Sequence, residues 1–283
     1  MAENERYKYD PSLVAAIIFI VCFGLSGLYH AYQVIRLKSW YFIPFIVACI
    51  LETGGYAGRA INASQESGQW TEGPFLIQAL LLLLGPPFYA ASIYMVLGRL
   101  IRLLDAENYS MIKLKWVTKF FLLGDIASIL GQGIGGGMLA SADSKKSADL
   151  GQIIIIVGLA IQIIFFSFFM VITIVFDIRI RREPTKASRA ITSPWRTLLM
   201  VLYGSSVLIL IRSIFRVIEY IMGEDGELMA KEAYIYIFDG TLILLASVAF
   251  NIFHPSAIIN SKNREHSRIP SSDVELNALT STR

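Results

Sequence analysis

The sequence predicts an all-α membrane protein in which seven transmembrane helices form one bundle. The 283 residues are 55% hydrophobic and only 17% charged, and their mean hydropathy of +0.57 is too high for an ordinary soluble domain. Seven apolar runs follow one another, each close to the ~20 residues that cross a hydrocarbon layer about 30 Å thick. Lysine and arginine are concentrated in alternate connections between the runs, as expected of a polytopic protein.

The seven runs also define the domain organisation. The predicted spans are Pro11–Val34, Trp40–Ile61, Pro74–Leu97, Val117–Leu139, Leu150–Phe176, Thr197–Met222 and Ala233–Phe253. We therefore expect residues 1–10 to form an N-terminal tail, residues 11–255 the transmembrane domain and residues 256–283 a C-terminal tail. The last segment is polar and rich in Ser, Thr and Asn, so it is predicted to be disordered.

The distribution of basic residues predicts the orientation. One set of connections and the C-terminal tail contain Arg36, Lys38, Arg99, Arg102, Lys113, Lys115, Arg179, Arg181, Arg182, Lys186, Arg189, Arg196, Lys262, Arg264 and Arg268. The opposite set contains only Arg6, Lys8, Lys145, Lys146 and Lys231. Because basic connections stay in the cytoplasm, the N-terminus is predicted outside and the C-terminus in the cytoplasm.

The sixth predicted span contains three ionisable residues where lipid-facing residues would be apolar. Arg212, Arg216 and Glu219 are spaced by four and three residues, which places them on one face of a helix. A charge at mid-membrane depth costs about 2.5–3.5 kcal/mol on insertion scales. The three side chains are therefore expected to face other helices, where a partner charge or a polar cavity stabilises them.

Other spans supply candidate partners. The residues proposed to bind substrate are Glu52, Tyr56, Arg59, Gln78, Asp125, Gln132, Arg212, Arg216, Glu219 and Asp239. A guanidinium suits a phosphate or carboxylate, and the carboxylates suit an amine. Both kinds of group occur on lipids, so one hypothesis is a polar cavity near the outer leaflet. The alternative is a closed lattice of ion pairs that only holds the helices together, for example Arg216 with Asp239 and Arg59 with Glu219.

Proline and glycine mark two further features. Gly85-Pro86-Pro87 interrupts the third span. The two prolines lack amide donors, so carbonyl groups about one turn earlier lose their helical partners, and a kink is predicted there. The glycine-rich run Gly131–Gly137 follows no strand, so it predicts close helix packing or a local opening around Gln132, and not nucleotide binding. Gly131 with Gly135, and Gly133 with Gly137, have the spacing of close helix approach. Asn62 begins a glycosylation sequon at the end of the second span, and its use is left open.

Several functional classes lack the residues they need. A catalytic zinc site needs three protein ligands, and of the three histidines, His30, His254 and His266, the last lies in the tail predicted to be disordered. The sequence has no phosphate-binding loop, so facilitated or proton-coupled movement is expected and direct ATP hydrolysis is not. We therefore expect no metal, no cofactor, no enzymatic activity and no nucleic-acid partner. The expected partners are membrane lipids and an amphiphilic small molecule.

Motifs along most of the chain resemble one family. They are Tyr9-Asp10-Pro11-Ser12; Glu52-Thr53-Gly54-Gly55-Tyr56 with Arg59; Leu84-Gly85-Pro86-Pro87-Phe88-Tyr89-Ala90-Ala91-Ser92-Ile93-Tyr94; Phe121 through Asp125 to Gly131-Gln132-Gly133; Arg212-Ser213-Ile214-Phe215-Arg216-Val217-Ile218-Glu219-Tyr220; and Asp239 through His254-Pro255. Together they resemble the fungal lipid-translocating exporter family, also called RTA-like after resistance to aminocholesterol. The sequence departs from the family pattern at Gly85-Pro86-Pro87, where Ala-Pro is common.

The resemblance implies a seven-helix fungal membrane protein. Its relatives are linked to export or flipping of sphingoid long-chain bases, to phospholipid asymmetry, to sterol-analogue resistance and, in one branch, to porphyrin movement. We therefore predict a translocator of sphingoid bases or phospholipids, located in the plasma membrane or, alternatively, in an internal membrane. The competing hypothesis from the same topology is a seven-helix receptor or sensor for an amphiphilic ligand.

Overall fold

The computed structural model of the protein describes residues 9–142, 144–191, 193–223 and 231–259. Within these ranges seven helices are long and apolar enough to cross a membrane, which confirms the predicted number of spans. They are α1 (Leu13–Leu37), α2 (Ile43–Ala63), α3 (Glu72–Leu103), α4 (Leu114–Ala140), α5 (Lys145–Arg182), α6 (Trp195–Met222) and α7 (Glu232–Ile252). The protein is thus a multi-pass membrane protein, while its orientation stays a prediction.

Two helices continue beyond the predicted spans. α3 contains 32 residues and α5 contains 38, so at about 1.5 Å per residue both exceed the ~30 Å thickness of the hydrocarbon layer. Their additional turns carry Arg99 and Arg102 on α3 and Arg179, Arg181 and Arg182 on α5. The sequence-based spans ended where the apolar runs ended, whereas a helix can continue once its charged residues reach water. The end of the bundle where these arginines lie is called the basic face below.

Short elements and local hydrogen bonds set the ends of the long helices. The Ser12 hydroxyl accepts a hydrogen bond from the Ala15 amide at the start of α1, and Ser144 caps α5 in the same way through Ser147. Short helical segments at the basic face lie at Trp40–Phe42, Glu107–Tyr109, Lys186–Ala190 and Pro255–Ile259. The N-terminal tail before Tyr9 and the tail after Ile259 lie outside the described residues.

α3 is the central helix of the bundle. Within its most apolar stretch 72% of the residues are buried, compared with 28% for α1. Side chains such as Tyr89, Ile93, Tyr94 and Leu97 are fully enclosed by the neighbouring helices. Conversely, large apolar side chains on the outer helices are exposed, as expected of surfaces that face lipid. A residue on α3 can therefore meet partners from several helices at once.

The glycine-rich run on α4 packs against α5, in part as predicted. A Cβ atom added to Gly135 would lie 2.6 Å from the Gly151 carbonyl oxygen, and one added to Gly131 would lie 3.5 Å from the Gly158 Cα. These two glycines therefore allow the backbones of α4 and α5 to approach closely. Gly133 and Gly137 have nothing within 4 Å in the described part of the chain, so their predicted packing role is wrong.

Candidate functional site

The polar stripe of α6 points into the bundle. Arg212 is completely buried, Glu219 is 2% exposed and Arg216 is 8% exposed. The helical spacing that places these residues on one face also directs all three side chains away from lipid. The stripe predicted from the sequence is therefore an interior surface of the bundle, and its charges need partners from other helices.

Asp239 on α7 is the common partner of the two arginines. One of its carboxylate oxygens accepts a hydrogen bond from Arg212 Nε, and the other accepts one from Arg216 Nη2. The Arg216–Asp239 pairing is the one expected from the sequence. Arg216 Nη1 also donates to Glu219 at 2.8 Å, so α6 and α7 are joined by two guanidinium groups that share one aspartate.

The backbone around Asp239 is not a regular α-helix. Residues Ile235–Thr241 of α7 form a π-helix, and the Thr241 hydroxyl donates to the Tyr236 carbonyl five residues earlier at 2.7 Å. π-Helical segments are rare in proteins, and those that occur often lie at functional sites. The wider turn also changes which side chains of α7 face α6. The hydrophobic pattern of the sequence contains no signal for it.

Arg212 connects this pair of helices to α3 through a backbone carbonyl. Its Nη2 donates to the Leu82 carbonyl oxygen. Pro86 lies four residues after Leu82 and has no amide hydrogen, so the Leu82 carbonyl lacks its usual helical partner. The structure thus shows the predicted carbonyl without a helical partner one turn before the prolines. Arg212 donates a hydrogen bond to it. α3 remains helical from Glu72 to Leu103, and the predicted kink stays a prediction.

Glu52 on α2 lies beside this cluster without joining its hydrogen bonds. It is 1% exposed, and its carboxyl group packs against Gly85, where a larger residue on α3 would collide with it. The fields of Arg212, Arg216 and Asp239 act on Glu52, but its Oε1 atom has no hydrogen-bond partner among the described residues. Arg212, Arg216, Glu219, Asp239 and Glu52 are called the central cluster below.

Tyr56 on α2 belongs to an aromatic stack beside the central cluster. Its ring lies 4.9 Å from that of Phe19 and 6.0 Å from that of Tyr236, measured between centroids. Its hydroxyl group faces Gly240 in the π-helical part of α7, where a side chain would collide with it. Tyr56 therefore separates the central cluster from the charged residues nearer the face opposite the basic one.

Arg59 forms a second group of contacts at that opposite end. Its Nη2 pairs with Glu232 at 2.8 Å and donates to the Tyr9 hydroxyl at 3.0 Å, and its Nε donates to the Tyr236 hydroxyl at 3.0 Å. The expected pairing of Arg59 with Glu219 is therefore wrong. Glu232 lies just before the predicted seventh span, Ala233–Phe253, whereas in the structure it begins α7. Burial raises the pKa of Tyr9, an effect that the Arg59 guanidinium opposes.

The remaining candidates lie apart from both groups. Asp125 on α4 is 1% exposed and interacts with Tyr94 of α3. Gln132 donates to Ser128 at 2.6 Å and to Gln162 at 3.1 Å, which joins α4 to α5. Gln78 is buried near the start of α3. The ten candidate residues therefore form several interhelical groups, where the sequence suggested one chamber.

Two cavities among the described residues lie elsewhere. One is lined by Met95, Gly98, Arg99, Arg102 and Thr118. The other is lined by Asn108, Tyr109, Arg179, Arg182 and Glu183. Both lie at the basic face and neither includes a candidate residue. In this conformation the charges of the central cluster are satisfied mainly by one another.

Asn62, the start of the sequon, is fully buried, and its side-chain oxygen accepts a hydrogen bond from Thr71 at 3.3 Å. Attachment of a glycan to the side-chain nitrogen of Asn62 requires the end of α2 to open. The structure therefore favours an unmodified Asn62.

Sequence reasoning missed two contributors to the interior network, Glu232 and a chain of small polar residues around Ser247. It predicted a free carbonyl one turn before the prolines but not that Arg212 would donate to it. The serines were missed because single hydroxyls are common in transmembrane helices.

Comparison with known proteins identifies relatives along the whole chain. The family model described as RTA1 like protein matches residues 45–262. Protein RTA1 of Saccharomyces cerevisiae is 36% identical, over 97% of this chain and 95% of its own. Protoporphyrin uptake protein 1 of the same species is 34% identical, over 87% and 90%. The sphingoid long-chain base transporter RSB1 of Saccharomyces cerevisiae is 27% identical, over 90% of this chain and 75% of its own. No solved structure matches the chain.

Proposed function

We propose that this chain, which belongs to the RTA1-like family, moves a lipid or lipid-like amphiphile across the membrane that it spans. Sphingoid long-chain bases and phospholipids are the proposed substrates, because a relative over most of the chain is named for sphingoid-base transport. The observation that carries the proposal is the central cluster, which holds two guanidinium and three carboxyl groups inside the bundle.

A headgroup can enter the central cluster by exchange. Moving a charged headgroup through hydrocarbon is costly because the charge loses its hydration. An amine that binds Asp239 and Glu219 takes the place of Arg216, and a phosphate that binds Arg212 and Arg216 takes the place of Asp239. Each exchange gives the headgroup a partner of opposite charge where water is absent. The acyl or sphingoid chain remains in the surrounding lipid.

Two donors of the cluster are already available to a substrate. Arg212 Nη1 and Arg216 Nε are buried and have no hydrogen-bond partner in the part of the chain that the structure describes. The hydroxyl oxygens of a sphingoid base or the oxygens of a phosphate accept hydrogen bonds from such groups. We assign these arginines, with Glu52, Glu219 and Asp239, to headgroup binding.

The remaining candidates are assigned more remote roles in the same proposal. Arg59 and Tyr56, between the cluster and the face opposite the basic one, would line the route of a headgroup from that face. Gln78, Asp125 and Gln132 would contribute to it when the helices separate. The orientation with the C-terminus in the cytoplasm and a location in the plasma membrane are part of this proposal.

Reconstituted transport tests the proposal. Purified protein in liposomes should accelerate the movement of a labelled sphingoid base or phospholipid, and Arg216→Gln and Glu219→Gln should each abolish most of the acceleration. Arg181→Gln is a matched control, because Arg181 forms an equivalent ion pair with Asp177 at 2.8 Å on an exposed surface. Unchanged transport in both cluster variants would refute the assignment of the binding site. If the native protein transports neither lipid, the proposed function is refuted.

One observation favours the alternative of a receptor or sensor. The central cluster is closed in this conformation, and its hydrogen bonds connect α3, α6 and α7. A ligand that breaks these hydrogen bonds can change the arrangement of the helices without crossing the membrane. Saturable binding of an amphiphile by protein that produces no lipid flux in liposomes would support sensing.

A further inference from the structure

With all its carboxyl groups ionised, the central cluster carries one excess negative charge. It contains the cations Arg212 and Arg216 and the carboxylates Glu219, Asp239 and Glu52. Adding the neighbouring Arg59–Glu232 pair does not change the difference, since it contributes one charge of each sign. An uncompensated charge inside a bundle is costly. The cluster therefore needs one additional positive charge in order to be neutral.

Glu52 is the carboxylate that the additional positive charge would neutralise. Asp239 and Glu219 accept hydrogen bonds from the arginines, whereas no guanidinium of the described residues donates to Glu52. The titratable or charged groups that act on Glu52 or are acted on by it are Arg212 and Arg216 on α6, Asp239 on α7, Tyr89 on α3, and Cys49 and Tyr56 on its own helix. Within the central cluster, the excess negative charge thus falls on the carboxyl group that has no cationic hydrogen-bond donor among the described residues.

A ladder of thiol and hydroxyl groups begins one helical turn from Glu52 and extends towards the basic face. Cys49, one turn before Glu52, lies 3.2 Å from the Tyr89 hydroxyl and 3.5 Å from the Ser247 hydroxyl. Ser247 is in turn 2.7 Å from the Ser26 hydroxyl. These four side chains come from α2, α3, α7 and α1, and Cys49, Tyr89 and Ser247 are fully or almost fully buried.

Two buried histidines lie beyond the ladder. His30 Nε2 lies 3.2 Å from the Ser247 carbonyl oxygen, and the rings of His30 and His254 are 6.3 Å apart between centroids. His254 immediately precedes the short helix Pro255–Ile259 at the basic face. The polar groups therefore extend from the central cluster to the same end of the bundle as the basic connections.

We propose that the central cluster binds either a proton on Glu52 or the positive charge of a cationic amphiphile, and that the protein exchanges one for the other. The inference rests on the proposed translocation function and narrows its substrate class to amphiphiles with a single positive charge. When the ammonium group arrives, the Glu52 carboxylic acid releases its proton towards the basic face. When the amphiphile leaves, Glu52 takes a proton back. The cluster is neutral in both states.

The first experiment is proton release on binding, with the full chain in detergent. The probe is N,N,N-trimethylsphingosine, whose fixed charge prevents it from carrying a proton itself. We expect release of about one proton per bound molecule, and binding that tightens by up to about tenfold for each unit of pH increase, because the proton is the competitor. The N-acetylated analogue, which has the same chain and no charge, should release none.

Variants at one position provide the decisive comparison. Glu52→Gln imitates the protonated form, so its binding of the probe should be weaker and independent of pH. Glu52→Asp keeps the carboxyl group and should restore both the proton release and the pH dependence. Asp177→Asn, which removes an unrelated carboxylate of the exposed pair with Arg181, should behave as the native protein. Proton release that persists in Glu52→Gln would overturn the assignment.

Transport in liposomes separates failure of this inference from failure of the proposed function. With an acidic lumen, the native protein should accumulate the probe inside by up to about tenfold per pH unit, since a 1:1 exchange transmits the whole gradient. Movement of the probe that ignores the gradient would overturn proton exchange and leave translocation in place. Binding with proton release but without movement of any amphiphile would overturn translocation and leave the exchange site.

Discussion

Replacement of Asp239 by Asn is the sharpest test of how the bundle is held together. The Asp239 carboxylate accepts hydrogen bonds from both Arg212 and Arg216, and all three residues are at most 8% exposed. An asparagine of the same shape has one oxygen and one amide nitrogen, so it cannot accept from both guanidinium groups and it carries no charge. The substitution leaves two buried cations with fewer partners and changes the side-chain volume very little.

The expected loss is large because the pairs are buried. Removing one partner from a buried ion pair costs about 3–5 kcal/mol, and about 2–4 °C of Tm is lost per kcal/mol in a domain of a few hundred residues. We therefore expect the Tm of Asp239→Asn, measured by intrinsic fluorescence in detergent, to fall by roughly 6–20 °C. The double variant Arg216→Gln with Asp239→Asn should recover part of this loss, because it removes a stranded cation.

The matched control is Glu232→Gln, which weakens the pair with Arg59. The Glu232 side chain is 19% exposed, compared with 1% for Asp239, so water compensates part of the lost interaction and the fall in Tm should be distinctly smaller. A fall for Asp239→Asn no larger than that of the control would show that burial does not strengthen the central pairs. It would refute the reasoning from which the magnitude is derived.

Three further outcomes follow from other contacts. Pro86→Ala supplies an amide that competes for the Leu82 carbonyl, so Arg212→Leu should destabilise that background by about 1 kcal/mol less than the native protein, as measured by a double-mutant cycle of thermal unfolding. Gly135→Ala should cost about 1–3 kcal/mol, since α5 leaves no room for the methyl group, whereas Gly137→Ala should cost nothing or stabilise the helix by up to about 1 kcal/mol in the same assay. A fluorescent protein fused to the C-terminus should resist external protease on intact cells, and its digestion there would reverse the predicted orientation.

The interior stripe of α6 could be predicted because its determinants are local. Helical periodicity places Arg212, Arg216 and Glu219 on one face, and the energetic cost of a charge in lipid turns that face inward. The same two arguments select Asp239 as a partner, because it is the acidic residue of the seventh span. Nothing about the arrangement of the other helices was needed for this pair.

The partner of Arg59 could not be predicted in the same way. Glu219 and Glu232 both lie near the end of the bundle to which Arg59 points, and the choice depends on the rotation of α7. That rotation is altered by the π-helix at Ile235–Thr241, which depends on tertiary packing and has no sequence pattern of its own. The pairing of Arg59 with Glu232 therefore depends on contacts among several helices, which the local sequence pattern does not contain.

The contact between Arg212 and Leu82 shows how a backbone irregularity and a charge can compensate each other. Proline at position 86 leaves a carbonyl without a donor in the middle of the membrane, and an arginine at position 212 has more donors than one aspartate can accept from. Each would be costly alone. Together they join α3 to α6 by an interaction that either residue can give up when another partner arrives. If the proposed substrate displaces Arg212 from Asp239, the guanidinium also leaves the Leu82 carbonyl, so this contact couples the proposed binding site to the central helix.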